Sequence, residues 1–474
     1  MSARVTPDLE TSTHIERLRT GVVRDPATGE LVVALAPPRG PVKGGRRLRK
    51  RDVLVVIVLG ATLAALGALL VTGLREEPTT APPESLAGTP VVQRAAGAFL
   101  DSVGINTHVT YTDTSYGEID AWLPRLRALG VRHVRDGLEP TNTVSEGRLR
   151  RLADSGMKLT LITSIQRDAA AQADYARRTF GSGLEALEAP NELDGAGPKD
   201  WVRRLREFLP ALRRAVPADD DAAPTLIGPS FIGAGSWETV RDLGENWEVD
   251  NLHPYPGGRE PESNVAQQLG LARATGSRRP VQATETGYHN ATRAKSGQPP
   301  VSEAAGGAYV PRLALSYFAA GMQRTFFYEL LDERSDPGRR QPEARFGLLH
   351  ADMSPKPAYF ALRNTLDVVR ASTTVSGRRR EVRVEGPSDV RSIVLTGSGR
   401  GSVVALWRED SLWDTGDRRS QDVDPVRARV YFQGHAEDVE VHRPSEGAGT
   451  VERRDSATSL RVPVGGDVVL VSYR

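Results

Sequence analysis

Between residues 96 and 370 the chain alternates eight short apolar runs with amphipathic stretches, and from residue 371 onward the helical period gives way to strand alternation. These two patterns predict a closed (β/α)8 TIM barrel followed by a C-terminal antiparallel β-sandwich. An uncharged stretch ahead of the barrel adds an N-terminal transmembrane helix to this α/β fold class.

The eight runs are residues 102–108, 131–137, 158–164, 184–192, 224–230, 249–255, 280–285 and 324–331. The stretches between them carry one apolar face at helical spacing: Ile119, Trp122, Leu123, Leu126 and Leu129 after the first run, Trp201, Val202, Leu205, Phe208, Leu209 and Leu212 after the fourth. The sequence Ser354-Pro355-Lys356-Pro357 predicts a last helix with a serine cap and proline in its first turn. Eight repeats in about 270 residues match the size of a closed barrel, typically about 250 residues. An open doubly wound sheet fits less well, because no G-x-G-x-x-G follows the first run. Beyond the barrel, strands are expected at residues 381–384, 392–396, 402–407, 426–432, 439–442, 459–462 and 467–472, separated by Gly, Asp and Ser turns.

Residues 53–74 form an uncharged run of about 22 residues, enough at about 1.5 Å per residue to cross roughly 30 Å of hydrocarbon. Arg46, Arg47, Arg49, Lys50 and Arg51 precede it, whereas Glu76 and Glu77 follow, which predicts a single-pass protein of the cell membrane with its N-terminus in the cytoplasm and the barrel outside. Residues 1–52, rich in Arg, Pro and Gly, read as a disordered basic cytoplasmic tail, and residues 75–95 as a Pro-rich linker. The barrel then occupies residues 96–370 and the sandwich residues 371–474.

Sixty-two Lys+Arg against 60 Asp+Glu leave a net charge of +2, so the chain as a whole carries no footprint of a nucleic-acid partner. With no cysteine there is neither a disulfide nor a thiolate site. The histidines stand singly, without the paired spacing of a zinc helix, so no metal and no cofactor is expected.

In a barrel of this kind function gathers at the C-terminal ends of the strands. The fourth run ends in Asn191-Glu192 and the seventh in Glu285, so two carboxyl groups face one mouth. Cleavage of a glycosidic bond needs such a pair: one carboxyl protonates the leaving oxygen, while the other attacks the anomeric carbon from the opposite face.

Asn191-Glu192 closing the fourth strand and Glu285 closing the seventh resemble the signature of clan A of the retaining glycoside hydrolases, a similarity that covers about residues 96–370. Residues 131–137 are similar to the second-strand segment that carries an arginine near the nucleophile. Leu252-His253-Pro254-Tyr255 resembles the sixth-strand His-x-Tyr pair, and Phe346-Gly347-Leu348-Leu349 through Lys356-Pro357-Ala358-Tyr359 resembles the stretch leading into the final helix. Within the clan the likeness is to the cellulase-like and β-xylosidase/α-iduronidase-like families. The resemblance implies a carbohydrate substrate, Glu192 as acid/base and Glu285 as nucleophile, with Arg135 and Tyr255 orienting Glu285. It further implies Asn191 on the hydroxyl beside the reacting carbon, His253 and His108 as sugar contacts, and Tyr328 as an aromatic platform. The chain departs from the family in Leu193-Asp194 after the Asn-Glu pair and in Phe326-Phe327-Tyr328-Glu329 where many members end the eighth strand with Trp, so no particular sugar is implied.

Two other functions use the same residues. A non-catalytic protein binding envelope polysaccharide would keep the fold and use the glutamates as acceptors, and a transglycosylase would deliver the sugar to another sugar. Glu188 and Glu329 are read equally well as buried ion pairs or as catalytic groups. Trp407 and Trp413 are expected either on a carbohydrate-binding face of the sandwich or in its core.

Overall fold

The computed structural model describes residues 22–24, 31–33 and 87–474, except 218, 221, 275, 276 and 400. Eight parallel strands form the barrel: β1 (Val103–Asn106), β2 (His133–Gly137), β3 (Lys158–Ile162), β4 (Leu184–Glu188), β5 (Thr225–Ile227), β6 (Asp250–Leu252), β7 (Val281–Thr286) and β8 (Arg324–Phe327). Seven lie inside their apolar runs, and β7 extends one residue past the run at 280–285, to Thr286. They pair in chain order, with β8 beside β1. A single bridge between Ile227 and Val249, supported by Gly228 N–H donating to the Val249 carbonyl at 2.8 Å, joins β5 to β6 and closes the ring.

The helices form where the apolar stripes predict them. Ile119–Leu129 buries Ile119, Trp122, Leu126 and Leu129 and stops at Gly130, whose φ of 85° supplies the left-handed turn that favours glycine. Trp201–Ala215 buries Leu205, Phe208, Leu209 and Leu212. The last helix, Pro357–Thr373, corrects the expected serine cap: its N-cap is Lys356, and the Ser354 hydroxyl donates to Asp352 instead. Lys356 is fixed there because its ammonium is buried on Asp332 at 2.7 Å and Asn290 at 3.1 Å.

Polar residues close the other end of the barrel, where the strands start. His133 lies 2.7 Å from Glu185 and 3.0 Å from Asp101, and Arg324 donates to Glu185 at 3.0 Å. This network ties β2, β4 and β8 together away from the mouth.

The second sheet is antiparallel except at one edge. Two of its strands come from residues expected in the linker: Thr89–Pro90 pairs with Val382–Glu385, and Gln93–Ala95 pairs with Val390–Thr396. The strands expected separately at 426–432 and 439–442 are one 17-residue strand, Val426–His442, because a register shift between Tyr431 and Ala436 bends the chain without ending its pairing to Thr450–Val464. Its first half pairs with Val382–Glu385 and its last residues with Val469–Tyr473, so it joins these strands in one sheet around a core of Val384, Val404, Leu406, Val430, Phe432 and Val471. Trp407 and Trp413 are 2% and 5% exposed and pack into the core shared with the barrel, so neither forms a carbohydrate-binding face.

Of the expected basic tail, the antiparallel pairing of Val22–Arg24 with Leu31–Val33 is described. The expected span at residues 53–74, the rest of the tail and residues 75–86 of the linker lie outside the described residues. Among the described residues no helix is long and apolar enough to cross a membrane.

Arg312, on the helix Glu303–Ala320, fastens the two sheets' domains together. It is fully buried, pairs with Glu262 at 2.6 Å, and donates to the carbonyls of Asp410 and Gly466 at 2.8 and 3.0 Å. Arg312→Leu leaves Glu262 and both carbonyls without this donor and is expected to lower the unfolding free energy by about 3–5 kcal/mol in chemical denaturation. An unchanged denaturation midpoint would refute the role given to this arginine.

Candidate active site

The C-terminal ends of the barrel strands converge on one guanidinium. Arg135, from β2, is 2% exposed and spends all five N–H donors on protein acceptors. Its Nε and Nη2 grip Glu188 of β4, both at 2.7 Å, and Nη2 also reaches Asn191 at 2.6 Å. Its Nη1 donates to Asn106 of β1 at 2.9 Å and to Glu285 of β7 at 2.6 Å. Burial disfavours the charge, but Glu188 and Glu285 more than offset this, so the guanidinium stays ionised.

Glu285 is held through both oxygens. Oε1 accepts from Arg135, and Oε2 accepts from the Tyr255 hydroxyl at 2.9 Å. Burial alone would push this carboxyl up; the His253 ring, Arg135 and Tyr255 outweigh it and hold Glu285 at about 2, so it is a carboxylate at neutral pH. Burial and Glu285 raise Tyr255 well above the usual phenol range, which keeps its hydroxyl a donor.

Glu192 stands across the mouth. Its φ of 45° and ψ of 43° place it in the left-handed region, which costs a non-glycine residue roughly 1–2 kcal/mol and turns the chain sharply out of β4 into the short helix Leu193–Ala196. Its Oε1 lies 2.6 Å from His253 Nδ1, and the same nitrogen is 3.6 Å from Glu285 Oε2. One atom each of Glu192, His253 and Glu285 lies within 4.8 Å of the others. A divalent cation can bridge groups so spaced, but two ligands of one ion, each about 2.1 Å away, stand roughly 3 Å or more apart. The shorter His253–Glu192 contact suits a proton, and both Glu285 oxygens already have donors.

These residues line a cleft of about 930 Å³ together with His108, Tyr111, Asp136, Phe231, Arg259, Tyr328, Glu343 and Phe346. Thr415, from the turn between Trp413–Asp414 and Arg419–Ser420 in the second domain, lines it too. His108 stacks flat on Tyr111, ring centroids 4.5 Å apart, and burial pulls its imidazole down to about 4, so it is neutral at pH 7. Tyr328 packs edge-on against His108 and Phe346, each with centroids 5.3 Å apart. Burial pushes Asp136 up to about 7, although Thr107 and the N–H groups of Val109 and Gly137 donate to it.

All eight residues singled out in the sequence line this cleft. Four others that build the site were missed or left open. Glu188 is fully buried and paired with Arg135, the ion-pair alternative. Asn106, Asn251 and Thr284 carry the hydrogen bonds that join β1, β6 and β7 to this pair. Asn106 is the last residue of β1, two residues before the end of the run at 102–108, so its place at the strand's end shows only in the pairing of the strands.

The fold is similar to that of a family 39 glycoside hydrolase from the gut symbiont Bacteroides cellulosilyticus WH2, with a TM-score of 0.58 and 15% identity over 81% of this chain and 83% of that one. It is also similar to the GH39 enzyme from Xanthomonas axonopodis pv. citri, with a TM-score of 0.55 and 15% identity over 83% of this chain and 99% of that one. The likeness is one of fold. No family model matches the chain, and no curated protein matches it by sequence.

Because Glu285 is depressed below its unfolded value near 4.5, the stability it contributes is present above that pH and is lost as pH falls from about 4.5 toward 2. Arg135→Met removes the cation and leaves burial dominant, so Glu285 is expected to titrate at higher pH. The variant should lose about 3–5 kcal/mol of stability at pH 7, since Glu188 then stands buried without a partner. Carbon-13 NMR of the Glu285 carboxyl in both proteins checks the direction; a carboxyl still ionised at pH 3 in the variant contradicts it.

Proposed function

We propose that the protein is a retaining glycoside hydrolase in which Glu285 is the nucleophile and Glu192 the acid/base. The observation that carries this reading is the pair of carboxyl groups of Glu192, in the turn after β4, and Glu285, on β7, with one oxygen of each within 4.8 Å of the other and with Glu285 ionised. Retaining enzymes separate these groups by about 5–5.5 Å, whereas inverting enzymes leave about 6.5–9.5 Å for a water molecule. A protein that only bound polysaccharide would have no need of a carboxylate oriented through both oxygens.

In the first step a Glu285 oxygen attacks the anomeric carbon, the glycosidic carbon–oxygen bond breaks, and Glu192 gives its proton to the leaving oxygen. In the second, Glu192 takes a proton from water as the water oxygen displaces Glu285, and the anomeric configuration is restored. Arg135 and Tyr255 hold Glu285 in line for both steps. Asn191, His108 and Tyr328 are in reach of the sugar in the cleft, where a neutral imidazole and an aromatic face suit hydroxyl and C–H contacts respectively. The uncharged run at residues 53–74 and the basic residues before it support a tether that keeps the barrel outside the cell membrane near envelope carbohydrate.

The test is turnover of a panel of aryl glycosides by wild type, Glu285→Gln and Glu192→Gln. Glu285→Gln is expected to lower kcat by about 10⁴-fold or more. Glu192→Gln should spare substrates with good leaving groups and slow those that need protonation. A wild type inert on the panel that binds polysaccharide as well as both variants would falsify the catalytic reading. For the tether, recovery of the full-length chain from the soluble fraction of cells would remove it.

A further inference from the structure

The hydrogen bonds around His253 leave little freedom in where the protons sit. The Glu188 carboxylate accepts from Arg135 on both oxygens. Asn251 points its amide nitrogen at Glu188 Oε1, 3.0 Å away, and at the Gly228 carbonyl, 3.2 Å away. Both are acceptors, so the Asn251 oxygen must face the other way, toward the Thr284 hydroxyl at 2.6 Å. An amide oxygen has no proton to give, and Glu188 Oε1, the other acceptor near that hydroxyl at 3.3 Å, has none either. The single Thr284 proton is therefore spent on an acceptor. Its oxygen is left to accept from His253 Nε2 at 3.0 Å.

The geometry points to Thr284 as a positioning residue that fixes His253 with its proton on Nε2, so that Nδ1 and Glu192 share one proton across 2.6 Å. This assignment of the proton does not depend on the hydrolase reading, but its use as an acid does. The form in which that proton resides on Glu192 is the protonated acid the first step requires. When the O–H bond of Glu192 breaks and the proton passes to the leaving oxygen, a bare Nδ1 lone pair faces a carboxylate, an unfavourable contact that a proton taken from water in the second step relieves. With the opposite tautomer, Nδ1–H would donate to an ionised Glu192 and leave no acid. The charged groups facing the ring are Glu192 from the turn after β4 and Glu285 from β7, with Arg135 and Tyr255 acting on it through Glu285. Thr284 immediately precedes Glu285 on β7, so one strand carries both the expected nucleophile and the residue that sets the proton of the acid.

The experiment uses the full chain labelled with nitrogen-15 at histidine, the His253 signals being assigned by their absence in His253→Asn. Wild type and Thr284→Ser are expected to show His253 with a proton held on Nε2, and Thr284→Val to shift toward protonation at Nδ1. In kinetics, Thr284→Val should move the basic limb of the kcat/KM profile down by about one pH unit, while Thr284→Ser restores it. The loss in kcat for Thr284→Val should be about tenfold larger for alkyl glycosides than for dinitrophenyl glycosides, because only the former need the acid. A wild-type His253 protonated at Nδ1, or a Thr284→Val profile superimposing on that of wild type, overturns the assignment. An inert wild type whose His253 is protonated at Nε2 removes the hydrolase reading and leaves Thr284 in its role.

Discussion

The site depends on one buried cation. Arg135 has five donors and five acceptors, drawn from β1, β4, the turn after β4, and β7. A guanidinium so enclosed is tolerable only because every N–H is satisfied and two carboxylates supply opposite charge. The requirement runs both ways. Glu188 is fully buried and needs Arg135 to be there as a carboxylate, and Glu285 is held low against burial with that cation and the Tyr255 hydroxyl donating to its two oxygens. Rigid placement follows, since a planar fork with all donors in use has no alternative rotamer of similar energy.

From Glu188 the order spreads outward through neutral groups. Asn251 and Thr284 pass the polarity of the Arg135–Glu188 pair to His253, and His253 reaches Glu192. The two glutamates thus stand at different ends of the same network: Glu285 touches the cation directly, whereas Glu192 is linked to Glu188 through His253 and Thr284 and sits in a left-handed turn at the rim. Two carboxyl groups in one mouth are thereby given different surroundings, the condition under which one is held as a base or nucleophile and the other is left able to exchange a proton.

The supporting fold keeps its charges at the two ends of the barrel. The Asp101, His133, Glu185 and Arg324 network sits where the strands begin, and the Arg135 network where they end, with β1 to β8 packed between. The second domain is built onto this frame by Arg312, and it presents Thr415 to the cleft. Its strands were only partly readable. Thr89–Pro90 and Gln93–Ala95 are too short to show alternation, and their partners lie near the other end of the barrel-and-sandwich segment. The long strand Val426–His442 looked like two because Gly434 and the polar residues around it read as a turn, and the bulge that carries it through is set by its neighbours.

The sequence by itself determined the eight strand–helix repeats and their order, the faces that are buried, and the gathering of Glu192 and Glu285 at one mouth, although β4 stops at Glu188, four residues before Glu192, and β7 runs one residue past Glu285. These are consequences of hydrophobic period and of which residue comes last in a run, both local properties of the chain. What only the tertiary structure decided is which side chains meet. That Arg135 reaches Glu188 and Asn106 as well as Glu285, that Thr284 touches His253, and that Trp407 and Trp413 are buried depend on the stagger of closed strands and on the packing of one domain against another. Residues 29 to 150 positions apart are brought within hydrogen-bonding distance of a single guanidinium, and no pattern along the chain encodes a separation in space that ring closure imposes.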